Sequence, residues 1–550
     1  MSRHVLISAV SSCALLGLFL GYPLLWILGA PSLEAGHLDL NFLVEVFSQR
    51  RNLRALENSL YGSFGAMLLS VVIGVPIAVL VARTDMPYRN VIRGLAAASF
   101  ITPSFLLGFA YIMLLGPNNG LINQVLQFAF DFQTGPLDIY TLEGFVFLAA
   151  LECVPLVVIT VAAALQSMDG NLENAARMIG AGPLTVLVRI TLPLVFPAIA
   201  AGALLAFIST ISLYGAPAIL GVRVVPTEIR AAIGDSNQQA MLAGLSLWLM
   251  LISLFAFYIY QRLLGRQARF VTVTGKWAPA ETIRLGRWRY AAFACCVTYI
   301  MIALVLPYGV LTYASLSHAF GGKPGFQNVT LEHYAFIVSD ALSLRAIVNS
   351  LVLAASAAVL ATLFGLCISV LEITSPQRST VKLLQYAAML PFGLPSIVLG
   401  AGLVLAFTRP PLVLYGTLWI LLVAYVVKFL PLAVRACGVG LRQMDPALAE
   451  AARITGASQY QTATRITAPL LRGSLMASAF LVFVPSFREL GASILLAGPG
   501  TETIAVAMIQ SWGSVSFEKV CAIGVLALAV SWLASRVLGH AKLSTLTSAT

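Results

Sequence analysis

Two ionisable residues stand in stretches that are otherwise apolar: Glu152, in Leu-Glu-Cys-Val-Pro155, and Lys428, in Val-Lys-Phe-Leu-Pro431. They lie 276 positions apart, carry opposite charge, and each precedes a proline by three residues. Charges in apolar surroundings pair with one another or line a water-filled path. An ion pair between them is therefore expected, with Glu152 satisfied locally and Lys428 snorkelling away as the alternative. Tyr214, before Gly215-Ala216-Pro217, and Arg488-Glu489, before Leu490-Gly491-Ala492, follow apolar runs at the same spacing. They are expected near the outer ends of those runs. Groups for catalysis are sparse. No Gly-x-x-x-x-Gly-Lys-Ser/Thr sequence occurs to cradle a nucleotide phosphate. The five histidines are scattered and the seven cysteines lack metal or redox spacing, so no metal site is expected and the cysteines read as apolar fillers.

The elements that hold these residues follow from composition. Of 550 residues, 59% are apolar and 10% charged, too few charges to cover a water-soluble protein of this size. The abundance of aromatic residues excludes a disordered chain. A bilayer core of about 30 Å needs about 20 apolar residues in a helix. Twelve such runs occur: Val5–Ala30, Leu60–Val81, Gly94–Leu115, Gly144–Leu165, Pro193–Leu213, Ala240–Leu264, Tyr290–Tyr313, Ile347–Leu371, Leu383–Phe407, Leu412–Val434, Pro469–Phe487 and Val520–Leu538. They are numbered spans 1 to 12 below. Pro103 and Pro395 interrupt spans 3 and 9 and are hinge or kink candidates. With both termini in the cytoplasm, 22 of the 33 Lys and Arg residues fall inside, and the outer loop from Gly116 to Glu143 has none. The net charge of +11 is thereby assigned to membrane orientation rather than to nucleic acid.

The chain also repeats itself. Met168 to Leu194 matches Met444 to Leu470 at 13 of 27 positions. Asn58-Ser59-Leu60 returns as Asn349-Ser350-Leu351, and Pro103-Ser104 as Pro395-Ser396, at offsets of 291 and 292. The first copy thus holds about 16 extra residues, assigned to the loop near Asn118 to Thr141. Two parallel six-helix repeats result, over 1–270 and 290–550, joined by a basic linker at 271–289. Each places a polar loop, 166–192 or 442–468, between its fourth and fifth spans. In the second, Asp445 caps a helix with Pro446 at its first position, Gly456 ends it and Ser458 caps another. The first uses Asp169, Gly180, Gly182 and Pro183. The alanine pairs Ala175-Ala176 and Ala451-Ala452 would leave a smooth surface for close approach, with Glu173, Arg177, Glu450 and Arg453 offering directional contacts. Such a loop suits docking into a groove on another protein.

In Glu450-Ala451-Ala452 and Gly456 this loop resembles the EAA loop in membrane subunits of binding-protein-dependent ABC importers, here as two fused permease halves. The first copy departs from the motif, with Asn174 where Glu450 stands and Glu173 one residue earlier. A one-residue step turns a side chain by about 100° around a helix, so equal ionic contacts from both halves are in question. The resemblance implies an all-α type I ABC importer fold in a bacterial inner membrane and a non-catalytic subunit. It also implies that ATP and Mg are bound by a separate cytoplasmic ATPase dimer, which grips the two loops as coupling helices. A periplasmic or lipid-anchored solute-binding protein would deliver the solute. Gly-Ala-Pro-Ala-Ile-Leu-Gly221 and Glu489-Leu-Gly-Ala-Ser-Ile-Leu-Leu look most like the ferric iron type, with thiamine, 2-aminoethylphosphonate and polyamine importers as the alternatives. The competing class is a twelve-helix carrier driven by an ion gradient, which explains the spans but not the paired loops.

Overall fold

The computed structural model describes residues 11–35, 41–168, 170–233, 239–270, 282–321, 326–375, 378–512 and 516–547. Among these, ten helices are long and apolar enough to cross a bilayer, and two sharply bent helix pairs bring the number to twelve. In the first repeat the unbroken spans are Ser11–Gly29, Arg50–Arg83, Leu142–Ser167, Pro183–Ile211 and Gln239–Leu264. In the second they are Trp288–Ser315, Ala341–Thr374, Leu418–Gln443, Arg465–Phe487 and Phe517–Ala534. Span 10 starts six residues later than its apolar run, because Pro410, Pro411 and Gly416, at φ 75°, occupy a turn ahead of it.

Spans 3 and 9 are not kinked helices but broken ones. Arg89–Ile101 and Ser104–Leu115 meet at 99°, and Ser379–Gly393 and Ser396–Phe407 at 111°. The breaks fall at Pro103 and Pro395. A proline pushes the residue before it out of the helical region and donates no hydrogen bond. Thr102 and Leu394 accordingly sit at ψ 120° and 124°, and each proline opens the second helix of its pair.

A gentler effect of proline recurs in spans 1, 5, 7 and 11. Each contains one π-helical turn, at Gly17–Gly21, Leu187–Thr191, Met301–Val305 and Ala463–Thr467. Every one of these turns ends two residues before a proline: Pro23, Pro193, Pro307 or Pro469. The missing proline N–H leaves a carbonyl free, and the ladder widens locally instead of breaking. Leu192 N–H, for example, bonds back to the Leu187 carbonyl.

Within each repeat the second span packs on the fourth through small residues, which let helix backbones approach where no hydrophobic force drives them together. Gly74 faces Val157, and its counterpart Gly365 faces Ala433. Between repeats, the first spans are exchanged. Span 1 packs on the second piece of span 9, with Phe19 and Tyr22 against Phe407. Span 7 packs on span 3, where Tyr299 bonds Ser99 (3.0 Å), Tyr308 bonds Thr102 (2.8 Å) and Tyr111 donates to the Ile302 carbonyl (2.7 Å). The extra residues of the first repeat lie between Leu115 and Leu142 and include a short helix, Leu121–Phe130. A Cβ on Gly365 would lie 2.8 Å from backbone carbon of Ala433, whereas one on Gly74 would meet mainly the Val157 side chain. Gly365→Ala is therefore expected to destabilise by about 1–3 kcal/mol, more than Gly74→Ala, as read from thermal melting in detergent.

Candidate functional site

A cavity of about 250 Å³ lies between the repeats. Its wall includes Pro103, Ser104, Glu152, Tyr214, Lys428, Arg488 and Glu489. Glu152 and Lys428 each stand ten residues inside the start of their helix, about 15 Å along it and near the middle of a 30 Å core. Tyr214, Arg488 and Glu489 share that cavity, so the expectation that they lie at the outer ends of their runs is corrected. The helix before Tyr214 ends beside the middle of span 4, where Thr210 lies 3.5 Å from Cys153, and the chain turns into the short helices Gly215–Leu220 and, in the second repeat, Ser493–Leu496.

The expected ion pair between Glu152 and Lys428 is absent. Lys428 Nζ instead donates to the carbonyls of Pro391 (3.1 Å) and Leu394 (2.5 Å), at the break of span 9. The last carbonyls of a helix have no partner within it, and in a membrane an unsatisfied one costs several kcal/mol. The ammonium answers that need at the Leu394 carbonyl, while the Pro391 carbonyl also accepts from Leu394 N–H (3.3 Å). In the first repeat the position equivalent to Lys428 is Glu152, which cannot donate as a carboxylate, and the other repeat supplies the cation for span 3. Arg488 Nη1 donates to the carbonyls of Phe100 and Thr102. Its guanidinium lies 4.5 Å from the centre of the Phe100 ring. Arg435 stands 5.0 Å over Phe392, the counterpart of Phe100. Glu152 feels the positive charge of Arg488, with no hydrogen bond of its own among the described contacts. The Glu489 carboxylate accepts from the amides of Ala492 (3.0 Å) and Ser493 (3.1 Å) and from the Ser493 hydroxyl (2.6 Å). It is thereby committed to capping a helix.

The two repeated loops adopt one geometry. Helices Asn171–Met178 and Pro446–Ile454 are followed by Gly180 at φ 90° and Gly456 at φ 85°, a conformation that favours glycine. Ala181 N–H returns to the Ala176 carbonyl and Ala457 N–H to that of Ala452, both at 3.0 Å, closing each helix end. Asp445 Oδ1 accepts from Ala447 N–H (2.9 Å). Ser458 and Gln461 cap each other reciprocally, at 3.2 and 2.9 Å, as the next helix begins. Asp169 and the side chains of Glu450 and Arg453 lie outside the described residues.

Two expectations about contact surfaces change here. Glu173 does not face outward: it is buried, paired with Arg83 at the end of span 2, and accepts from Thr191 Oγ1 (2.6 Å). Of each alanine pair only Ala175 and Ala451 are exposed, while Ala176 and Ala452 pack inward. The outward face carries apolar side chains at equivalent places, Leu172 with Leu448 and Met178 with Ile454, the last two 89% and 86% exposed.

Residues 74–269 and 361–540 match the family described as binding-protein-dependent transport system inner membrane component. The chain belongs to this family. It is the permease subunit of an ABC importer, written twice in one polypeptide. It is 26% identical over 511 residues to a putative ferric transport system permease of Haemophilus influenzae, covering 92% of this chain and 80% of that one. A ferric transport system permease of Actinobacillus pleuropneumoniae is 27% identical over 474 residues, covering 85% and 68%. A putative 2-aminoethylphosphonate permease of Salmonella typhimurium is 30% identical over 224 residues, covering 40% of this chain and 83% of that one. Among solved structures, a bacterial ABC transporter for alginate import is similar at 20% identity and a TM-score of 0.38, covering 46% of this chain and 94% of its own.

Sequence reasoning about the permease missed the Arg83–Glu173 pair, since 90 residues separate its members and neither motif names the other. It also missed Arg435 over Phe392. Removing one member of a buried pair strands the other, at about 3–5 kcal/mol. Glu173→Ala is expected to loosen the first loop by an amount of that order, seen as faster proteolysis between Asn171 and Thr191. The double variant Arg83→Met/Glu173→Leu should regain protection.

Proposed function

We propose that the permease carries ferric iron, released to it by a solute-binding protein on the outer face and driven by an ATPase dimer on the two loops. The observation that carries the substrate is extent: the two ferric permeases are similar along 92% and 85% of the chain. The phosphonate permease is similar along 40%, which favours 2-aminoethylphosphonate as the second reading. The cavity chemistry suits a passenger. Ser104, Ser209, Ser212, Ser396, Tyr214 and Glu152 offer oxygen atoms, the ligands a hard cation prefers, while Lys428 and Arg488 are turned onto carbonyls. One uncommitted carboxylate gives an exchangeable contact rather than a resident site.

The proposed cycle uses the chain's own levers. ATP-driven closure of the partner brings the two coupling helices together through Leu172, Ala175 and Met178 and their counterparts Leu448, Ala451 and Ile454. The Arg83–Glu173 pair passes the motion of the first loop to span 2. Arg488 is the polar tie between repeats at the cavity. As the repeats rock, it leaves the carbonyls of Phe100 and Thr102 for the nearby carboxylate of Glu152, and the solute path opens between them.

The test is ATPase activity of the reconstituted complex with its binding protein loaded with Fe(III), thiamine or 2-aminoethylphosphonate. Stimulation by the Fe(III) form alone is expected; stimulation by the phosphonate form alone would move the substrate to the second reading. Met178→Asp with Ile454→Asp should abolish ATPase association. Arg488→Ala should lower uptake roughly tenfold or more while ATP hydrolysis persists. Full coupled uptake in Arg488→Ala would remove the tie from the mechanism.

A further inference from the structure

Span 2 is a 34-residue helix about 51 Å long, so its Arg50 end overhangs a 30 Å bilayer core on the side opposite the coupling loops. A cavity of about 530 Å³ opens beside that overhang. It is lined by Arg50, Arg51, Arg54 and Asn58 from the helix, by Arg223 from the loop after Gly215–Leu220, and by Tyr140. Arg50, Arg54 and Asn58 fall on one helix face at spacings of four. Arg51 is paired with Glu228 at 2.6 Å. Arg50, Arg54 and Arg223 have no ion pair among the described residues, and Glu57 does not line the cavity. Such crowding of like charge opposes folding unless an anion offsets it.

The second repeat shows which part of this arrangement is scaffold. Asn58 donates to the Arg223 carbonyl (2.9 Å), and Asn349 to the carbonyl of Glu502 (3.0 Å). Ser59 accepts from Val225 N–H and Ser350 from Ile504 N–H, each at 2.8 Å. The repeated Asn-Ser pair therefore performs the same fastening twice, and Glu502 stands where Arg223 stands. At the offset of 291, Arg50 and Arg51 become Ala341 and Leu342. Arg54 alone returns, as Arg345, so the fastening is duplicated in full while the cluster of charge around the cavity is not. This concentration of arginine also lies on the side where the Gly116–Glu143 loop has no basic residue, against the usual membrane bias.

We infer that this cavity is a binding site for an oxyanion of the phosphate class, held by the guanidinium groups of Arg50, Arg54 and Arg223 and the hydroxyl of Tyr140. Planar guanidinium forks match phosphate and phosphonate oxygens two at a time. Burial and the Asp138 carboxylate push the Tyr140 phenol above its usual range, so it remains a donor. Asn58 is spent on fastening the loop that carries Arg223. The same chemistry is offered by a free phosphate or phosphonate and by a lipid headgroup, which the test separates.

Saturable binding of inorganic phosphate is measured by calorimetry on the full chain, delipidated in neutral detergent and again in nanodiscs of phosphatidylcholine or phosphatidylglycerol. Wild type should bind in detergent. Arg50→Gln/Arg54→Gln/Arg223→Gln should weaken binding at least about tenfold. Arg223→Glu, which installs the charge of the second repeat, should do likewise if the triple variant fails to fold. Arg345→Gln, at the corresponding end of span 8, should leave binding unchanged. Phosphate binding retained in both nanodiscs assigns the site to a free oxyanion. Binding lost only in phosphatidylglycerol, with that lipid co-purifying less with the variants, assigns it to a headgroup. No saturable binding to wild type in detergent, or equal loss in Arg345→Gln, overturns the inference.

Discussion

A helix that breaks inside a membrane leaves carbonyls where there is no water to take their place, and two such breaks shape this protein. Pro103 and Pro395 fix their position. The free carbonyls must meet donors, and the donors available at that depth are long cationic side chains. Lys428 meets one set from within its own repeat, and Arg488 meets the other from across the cavity. The placement of charge is thus a consequence of backbone geometry. The cavity exists where the bent pieces turn aside, and its polarity is what the cations and their counter-charges leave over.

Much of this was legible in the sequence. The repeat, its offsets, the twelve apolar runs and the glycine turn of the loops are properties of residue type and spacing, which local structure obeys. The four π turns were not, because prolines inside other helices, at Pro76, Pro155 and Pro431, bring no such turn. The partners of charged residues were not legible. Glu152 and Lys428 are equivalent in sequence and share a cavity, yet pairing depends on what lies within reach of each head group. Backbone carbonyls, which leave no mark in a sequence, won that competition for Lys428. Glu173 likewise turned inward to Arg83, a partner 90 residues away on another helix.

The comparison between repeats separates what duplication kept from what it released. Features that fix the backbone occur twice: Gly180 and Gly456, Gly74 and Gly365, Asn58 and Asn349, Pro103 and Pro395. Charges around the two cavities differ between the repeats instead, as with Glu152 against Lys428, Arg223 against Glu502, and Arg488 against Ser212, although the loops keep theirs at Arg177 and Arg453. A fold with approximate twofold symmetry therefore encloses an electrostatically one-sided interior. A fused chain can do this where two identical subunits cannot, because each position is free to differ from its counterpart.

The exchange of first spans bears on how the chain is made. Pro23 touches Gly402, 379 positions later. At about 5–20 residues per second, roughly 20–80 s of translation separate the emergence of the two. Span 1 therefore enters the bilayer long before the surface it will rest on exists. Its early companion is span 6, from its own repeat, and until the second repeat arrives its other face is solvated by lipid. The nascent first half is thus a distinct, lipid-bathed intermediate of membrane insertion, completed only when its successor is threaded against it.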